Sequence, residues 1–379
     1  MNNLMMRKAD AEDVVGIVTL YNKVYLGKYS DQNLTDFNLV AKELKEKNSI
    51  LFVAAIDKKI VACLNMKYDQ ENELVKASAA VVDPKFRGDN LTEKLIQSGL
   101  DYIRSLDKKI SLVYSTTRTV NAAAQTLTQN LGFKKLGVFP NVHKTVEYET
   151  HTLAAIIYDS LYEQRYRDFE LHPSLNSLYQ IVKKECSLSE LNIAKNWKEK
   201  IYNGEVPELE FISAKNFVRQ RYSKRKESKD IDLGFFPFHK PTTMITSADS
   251  SIEVYLYINE VDMHCVVTGV KIDREVSFSD LFKRIAHMLR DKGVRYIEMI
   301  IRANRLNIID KIINSKFIPC GYMPGFQKEG DSRYDYVVFS RSFEILDFEN
   351  LSFKGINKKY VDEYIKAWSN IAFGNIKES

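Results

Sequence analysis

Residues 81–95, VVDPKFRGDNLTEKL, limit the fold of this chain more than any other stretch. An apolar run ends at Asp83 and is broken by Pro84. A polar loop with Arg87-Gly88 follows and opens directly into a segment with apolar residues at helical spacing (Leu91, Leu95, Ile96, Leu100, Ile103). This is a strand, a turn and a helix. The unpaired N–H groups of the first helical turn, with the positive end of the helix dipole, make a site for an anion such as a pyrophosphate. Gly88 lets the backbone turn close to that ligand. The residues of that loop and first turn are Arg87, Gly88, Asp89, Asn90, Leu91 and Thr92.

The surrounding pattern predicts strands at 4–8, 49–56, 59–68, 73–83 and 110–116, with helices over 11–26 and 35–46. A helix over NAAAQTLTQNLGF ends at Gly132, and strands at 134–140 and 145–157 close the unit. A polar, partly helical segment follows from 163 to about 205. The later part of the order then recurs, with strands at 252–258 and 263–272, a helix at 278–291, a strand at 294–301, a helix at 304–315 and strands at 317–323 and 333–340. FKKLGVFP and FIPCGYMP share Phe, Gly and Pro at one constant offset: Phe133 and Phe317, Gly137 and Gly321, Pro140 and Pro324. Together these features point to internal duplication. The expected division is 1–162, a linker over 163–207, and 208–379 with a C-terminal helix.

The segment 81–92 resembles motif A of the GNAT acetyltransferases, V-x-P-x-x-[RQ]-G-x-G-x-[GA]. Val82, Pro84, Arg87 and Gly88 match. Asn90 stands where a second glycine is usual, and Asn tolerates the left-handed backbone better than most residues. Thr92 replaces the last small residue. VNAAAQTLTQNLGF resembles the family's N-x-x-A-x-x-[LF]-Y-x-x-x-G-F helix through Asn121, Ala124, Leu127, Gly132 and Phe133. The resemblance implies an α/β protein with two GNAT-like domains. Each would be a mixed, mostly antiparallel sheet flanked by helices, the second degenerate. Aligned by the repeat, Lys271 and Ile272 stand for Arg87 and Gly88, and Val276 for Thr92, so no second pyrophosphate loop is expected.

The resemblance also implies chemistry. Acetyl-CoA, as acyl donor, would lie where the strand ending at Asp83 parts from strand 110–116, with Asn121 and the loop among its contacts. A main-chain N–H near Val81 or Val82 would polarise the thioester carbonyl. A neutral primary amine, on the family analogy that of a small molecule, would attack directly, with a base taking its proton. Glu147, Glu149 and His151 alternate onto one strand face and are the base candidates, with Glu73 a further one. Thr128 falls where the family's acid tyrosine usually stands, which leaves the acid unassigned; Tyr114 and Tyr148 are substitutes. Lys85 and Lys94 are candidates for phosphate contacts. The alternative from another class is a non-catalytic acyl-CoA-binding or regulatory module.

Composition sets the remaining bounds. The 379 residues exceed a typical single core, and 45% hydrophobic with 28% charged residues is ordinary globular usage. Four scattered cysteines and six histidines show no metal-ligand spacing, so no metal site is expected. With no apolar core of a leader and no long apolar run, a cytosolic protein is expected, without a membrane partner. Net charge is +5, and the one dense basic cluster, Arg219 to Lys229, lacks interleaved aromatics apart from Tyr222. It reads as a solvated loop, so nucleic acid is not expected. A dimer surface is a further expectation for the second half.

Overall fold

The apolar runs of the first half form strands that are covered on both faces. The computed structural model describes residues 4–29, 31–88, 90–106, 108–119, 122–144, 148–195, 204–348 and 355–373. In chain order the first elements are β1 (Leu4–Lys8), α1 (Val14–Tyr25), α2 (Phe37–Glu43), β2 (Ser49–Ile56), β3 (Lys59–Asp69) and β4 (Leu74–Val82). Then come α3 (Leu91–Ser105), β5 (Leu112–Arg118), α4 (Ala122–Asn130), β6 (Lys134–Lys144) and β7 (Tyr148–Ile157). Contacts gather the described residues into two units. The first lies within Met1–Thr117, Ala123–Lys134 and Ala154–Glu163, the second within Arg118–Ala122, Lys135–Leu153 and Gln164–Ser379.

In the first unit β1, β2, β3 and β4 are antiparallel neighbours, and β5 joins β4 in parallel after the crossover α3. Phe52, Ala54, Leu64 and Met66 face a core under α3, whereas Leu51, Val53 and Cys63 face a second core under α1. Side chains alternate faces along a strand, so covering both faces demands the near-continuous hydrophobic runs seen in β2 and β3. Gly99 brings α3 down onto β3: a Cβ there would meet the Met66 Cε at 2.4 Å.

After β7 the chain forms α5 (Asp159–Gln164), β8 (Glu170–Leu171), α6 (Asn176–Cys186), β9 (Asn192–Ile193), β10 (Leu209–Ile212), α7 (Lys215–Ser228), β11 (Asp232–Leu233) and β12 (Thr243–Ser247). Next are β13 (Ile252–Asn259), β14 (His264–Ile272), α8 (Phe278–Asp291), β15 (Tyr296–Arg302), α9 (Leu306–Asn314), β16 (Ile318–Glu329), β17 (Ser332–Ser342) and α10 (Ile356–Phe373). The strand order in the second unit is β6-β16-β17-β15-β14-β13-β12-β10, with β11 added to β14. Both units are thus mixed α/β, with mostly antiparallel sheet flanked by helices. Gly137 and Gly321, equivalent in the repeated segment, pair with each other between β6 and β16.

The basic cluster is not a loop. It lies on α7, where Arg221 and Arg225 both bind the fully buried carboxylate of Glu253, Arg225 Nε at 2.9 Å, and the Tyr255 hydroxyl donates to the same group at 2.7 Å. A buried charge without such partners would be costly, so part of the cluster answers Glu253. The Gly- and Tyr-rich stretch from Gly321 to Arg341 is the β16–β17 hairpin. Its Asp335 accepts bonds from Arg165, Tyr322 and the Gly325 N–H in the interior.

Candidate functional site

The loop after β4 is fixed at its start and open at its end. The Asp83 N–H donates to Val61 O at 2.8 Å, which holds the end of β4 against β3. Its buried carboxylate accepts from Lys23 Nζ at 2.7 Å and from the Lys85 N–H at 3.1 Å. The Lys23 bond lowers the Asp83 pKa, with further help from the Lys85 N–H. A one-turn helix over Pro84–Phe86 follows, with Pro at its start. The chain then passes Gly88 at φ +109° and Asn90 at φ +55°. Asn90 thus adopts the left-handed conformation that its place in the motif requires. Its side chain does not cap α3, which leaves the first-turn N–H groups to other acceptors. Arg87, Lys85 and Lys94 are exposed around this turn, and Thr92 is half-buried. Leu91 packs into the core beneath. Asp89 and Asn121 lie outside the described residues.

Beside the loop, β4 is unusual. Cys63 pairs with Val81 and Asn65 with Ser78, so β4 carries one extra residue opposite Leu64. Ala79, inside this bulge, has φ +57°, and its carbonyl accepts a bond from the hydroxyl of the fully buried Tyr21. Parallel pairing with β5 is confined to Leu74, Val75 and Lys76 opposite Leu112, Val113 and Tyr114. Beyond Lys76 the strands part. The edge of β4 from Ser78 to Val82 therefore offers main-chain groups to a ligand at the carboxyl ends of two parallel strands, where open α/β sheets place ligands.

The second unit repeats this layout with different chemistry. The β13–β14 register shifts between Tyr255 and Leu256, and β14 pairs in parallel with β15 only from His264 to Val266. Asp273 N–H donates to Ser251 O at 2.8 Å, as Asp83 does to Val61. The connection from there to the helix spans Asp273–Ser277, shorter than Asp83–Asn90, and contains no glycine. Lys271 and Ile272 lie within β14 and not in a loop, which corrects their alignment with Arg87 and Gly88. Ser277 caps α8 through the Asp280 N–H, and Asp280 adds negative charge to its first turn. Both features disfavour an anion there.

The residues expected to handle protons fall into two groups. Thr128 is buried and donates its hydroxyl back to Gln125 O at 2.9 Å and Ala124 O at 3.2 Å. Glu73 is buried, accepts a bond from Ser111 at 2.9 Å, and sits at the start of β4, the end remote from the loop. Tyr114 is buried on β5, while Tyr148 is half-buried, with its pKa raised by burial and by Glu344.

The other group belongs to the second unit. Glu149 is buried and takes both Nε and Nη2 of Arg118, each at 2.5 Å. His151 Nε2 lies 3.9 Å from Glu149; burial, then His143, depresses the imidazole pKa to about 3. It is neutral at pH 7. His143 lies with its ring 5.5 Å from that of His151, and its Nδ1 is 2.6 Å from the Asp262 carboxylate. The His143–Asp262 pair had no signal in the sequence, since its members are far apart and neither sits in a motif. Glu147 lies outside the described residues. Among the described residues no cluster of three or more His, Cys, Asp or Glu forms a metal site, and no helix is long and apolar enough to cross a membrane.

Comparison with known proteins agrees with the loop. Residues 14–133 match the acetyltransferase (GNAT) family. An N-acetylaspartate synthetase from Xenopus tropicalis is 30% identical over 123 residues, which are 32% of this chain and 44% of that protein. The match thus spans less than half the length of that relative. Among solved structures, an acetyltransferase of the GNAT family from Streptococcus pneumoniae is 19% identical, with a TM-score of 0.36 over 41% of this chain and all of its own. A putative acetyltransferase from Salmonella typhimurium, solved with its cofactor acetyl-CoA, is 21% identical with the same TM-score over 42% of this chain and 95% of its own. The family match covers the Asp83–Asn90 loop, the bulged strand before it and the helix after it. The chain therefore carries, over residues 14–133, a domain of the acetyltransferase (GNAT) family.

Proposed function

We propose that the protein is an acyl-CoA-dependent N-acyltransferase that uses acetyl-CoA to acetylate a primary amine of a small molecule. The observation that carries this reading is the pairing of two features in one unit. An uncapped helix start behind the left-handed Gly88 and Asn90 suits the pyrophosphate, and a bulged, unpaired edge of β4 suits the amide-bearing arm. In this reading Arg87, Gly88, Asp89, Asn90, Leu91 and Thr92 take the phosphates, Val81 and Val82 the arm, and Asn121 lies near it. The amine attacks the thioester carbonyl, the oxyanion is stabilised by a β4 main-chain N–H, and thiolate leaves. The base comes from the group around Glu147, Glu149 and His151. Glu149 is committed to Arg118, and an imidazole with a pKa near 3 accepts protons poorly.

The relative named for N-acetylaspartate puts α-amino acids, aspartate first, at the head of an acceptor panel. Thiol release from acetyl-CoA across that panel tests the reading. Release above the hydrolysis rate is expected for at least one amine, and replacing the true base among Glu147, Glu149 and His151 should lower kcat by about 100-fold while leaving CoA affinity intact. Binding without release for any amine would favour a non-catalytic acyl-CoA-binding module. The inward-turned Thr128 hydroxyl supports that second reading. We further read 1–162 and 208–379 as two copies of one fold joined by 163–207, only the first of them taking the cofactor. The setting proposed is the cytosol, consistent with four buried free cysteines.

A further inference from the structure

The second unit contains a cavity of about 500 Å³ where β14 and β15 part. That volume suits a small organic ligand. Its wall is mixed: Val267, Ile272, Phe278, Phe282, Met299 and Ile301 line it, together with the cations Arg274, Arg302, Arg305 and Lys311 and the acids Asp232, Glu275 and Glu329. The segment around β11 crosses the mouth. Asp232 and Leu233 pair with Val270 and Gly269, the Gly234 N–H donates to Thr268 O at 3.1 Å, and the Phe235 N–H donates to Ile300 O at 3.1 Å. Only glycine fits at 234, because a Cβ would stand 2.6 Å from Val267 O. The two parted strands are thus held at a fixed separation by the chain itself, and the cavity is a formed one.

Of the cations in this wall, Arg305 is paired with Asp232 and Arg274 with Asp249, whereas Arg302 faces Glu329 of the hairpin turn. Arg302 closes β15 with its guanidinium 3.8 Å over the Tyr334 ring, donating from Nη2 to Gln327 Oε1 at 3.1 Å. Gln327 is also bonded to the Tyr336 hydroxyl. Arg302 also interacts with Tyr336 and with the carboxylate of Glu329. Glu329 ends β16 next to Gly330 in the hairpin turn, and its side chain is 49% exposed against 23% for Arg302. Exposed ion pairs of this kind contribute little, so the Glu329 carboxylate is easily exchanged for another. It occupies the place of an external carboxylate on a fork built to receive one. A nucleotide is disfavoured, since the connection after β14 carries no glycine and the helix that follows it is capped by Ser277.

We propose that this cavity binds a small carboxylic acid with an apolar body, its carboxylate displacing Glu329 from Arg302. The site is separate from the acetyl-CoA loop and does not depend on the acyltransferase reading. Calorimetric titration of the full chain with decanoate tests it, with decylamine as the control of equal apolar length and opposite charge. Saturable binding of one decanoate per chain and none of decylamine is expected. Arg302→Leu should weaken decanoate by about tenfold or more, since a charge-assisted contact is lost. Met299→Trp should abolish binding by filling the cavity, and Glu329→Gln should tighten it several-fold by removing the competitor. Circular dichroism and Tm should match the wild type in all three variants, which reports that they are folded. Absence of saturable decanoate binding, equal binding of decylamine, or a Glu329→Gln protein that binds no tighter would overturn the proposal.

Discussion

Lys135 shows how a single residue carries a measurable consequence of this packing. It is 4% exposed on β6, and burial lowers its ammonium pKa from 10.5 to about 8, against the opposing pull of Glu185. A lysine depressed in the folded state binds its proton more weakly there than when unfolded. Its cost to stability is therefore present in full below pH 8 and is relieved as pH rises to 10.5. Buried thiols work in the opposite direction: Cys63 is pushed up to about 12 by burial, which erodes stability in alkali. The lysine is isolated by difference. The stability advantage of Lys135→Met over the wild type should shrink by about 3 kcal/mol between pH 8 and 10.5, measured by urea unfolding. A constant difference across that window would mean that Lys135 is not desolvated. The same scale decides Thr128. Sequence comparison marks it as a departure from a tyrosine, and the structure adds that its hydroxyl is spent on its own helix.

Among the elements, those with strong periodicity or clear punctuation were legible. The polar turn at Asp57-Lys58 bounds Ser49–Ile56, and the sequence pattern bounds α8. The motif resemblance puts Asn90 where a glycine is usual, and its φ is +55°. What stayed hidden was set by tertiary pairing. Ala79 is left-handed without being Gly or Asn, because the bulge and the Tyr21 hydroxyl hold it there. β11 is two residues long and exists because β14 offers it an edge. α7 was masked by its density of charge, which reads as solvated until Glu253 is seen beneath it. Glycine at 137 has a cause of the same tertiary kind. A Cβ there would stand 2.4 Å from both Cys320 O and Gly321 Cα, backbone atoms that cannot turn aside. Gly137→Ala should cost at least about 2 kcal/mol, seen as a large drop in Tm, whereas Gly99→Ala, which meets side-chain ends (Met66 Cε at 2.4 Å, Leu64 Cδ2 at 3.3 Å) and no backbone, should cost clearly less. Equal costs would show that the β6–β16 pairing is looser than its register implies.

For the whole molecule, the two units share a layout of bulged strand, parted parallel neighbour and following helix. They differ at the turn between the bulged strand and that helix. The first keeps Gly88, Asn90 and an uncapped helix; the second has a shorter connection, a Ser277 cap and its own β11 across the parted strands. The central claim is that one cofactor binds per chain, at the first of these turns. Calorimetric titration with CoA tests it most directly, on the wild type and on Arg87→Glu. The account predicts one site in the wild type and an affinity lower by at least about tenfold in the variant, because a phosphate-facing charge is reversed. Two sites per chain, or an Arg87→Glu protein that binds CoA as tightly as the wild type, would contradict it.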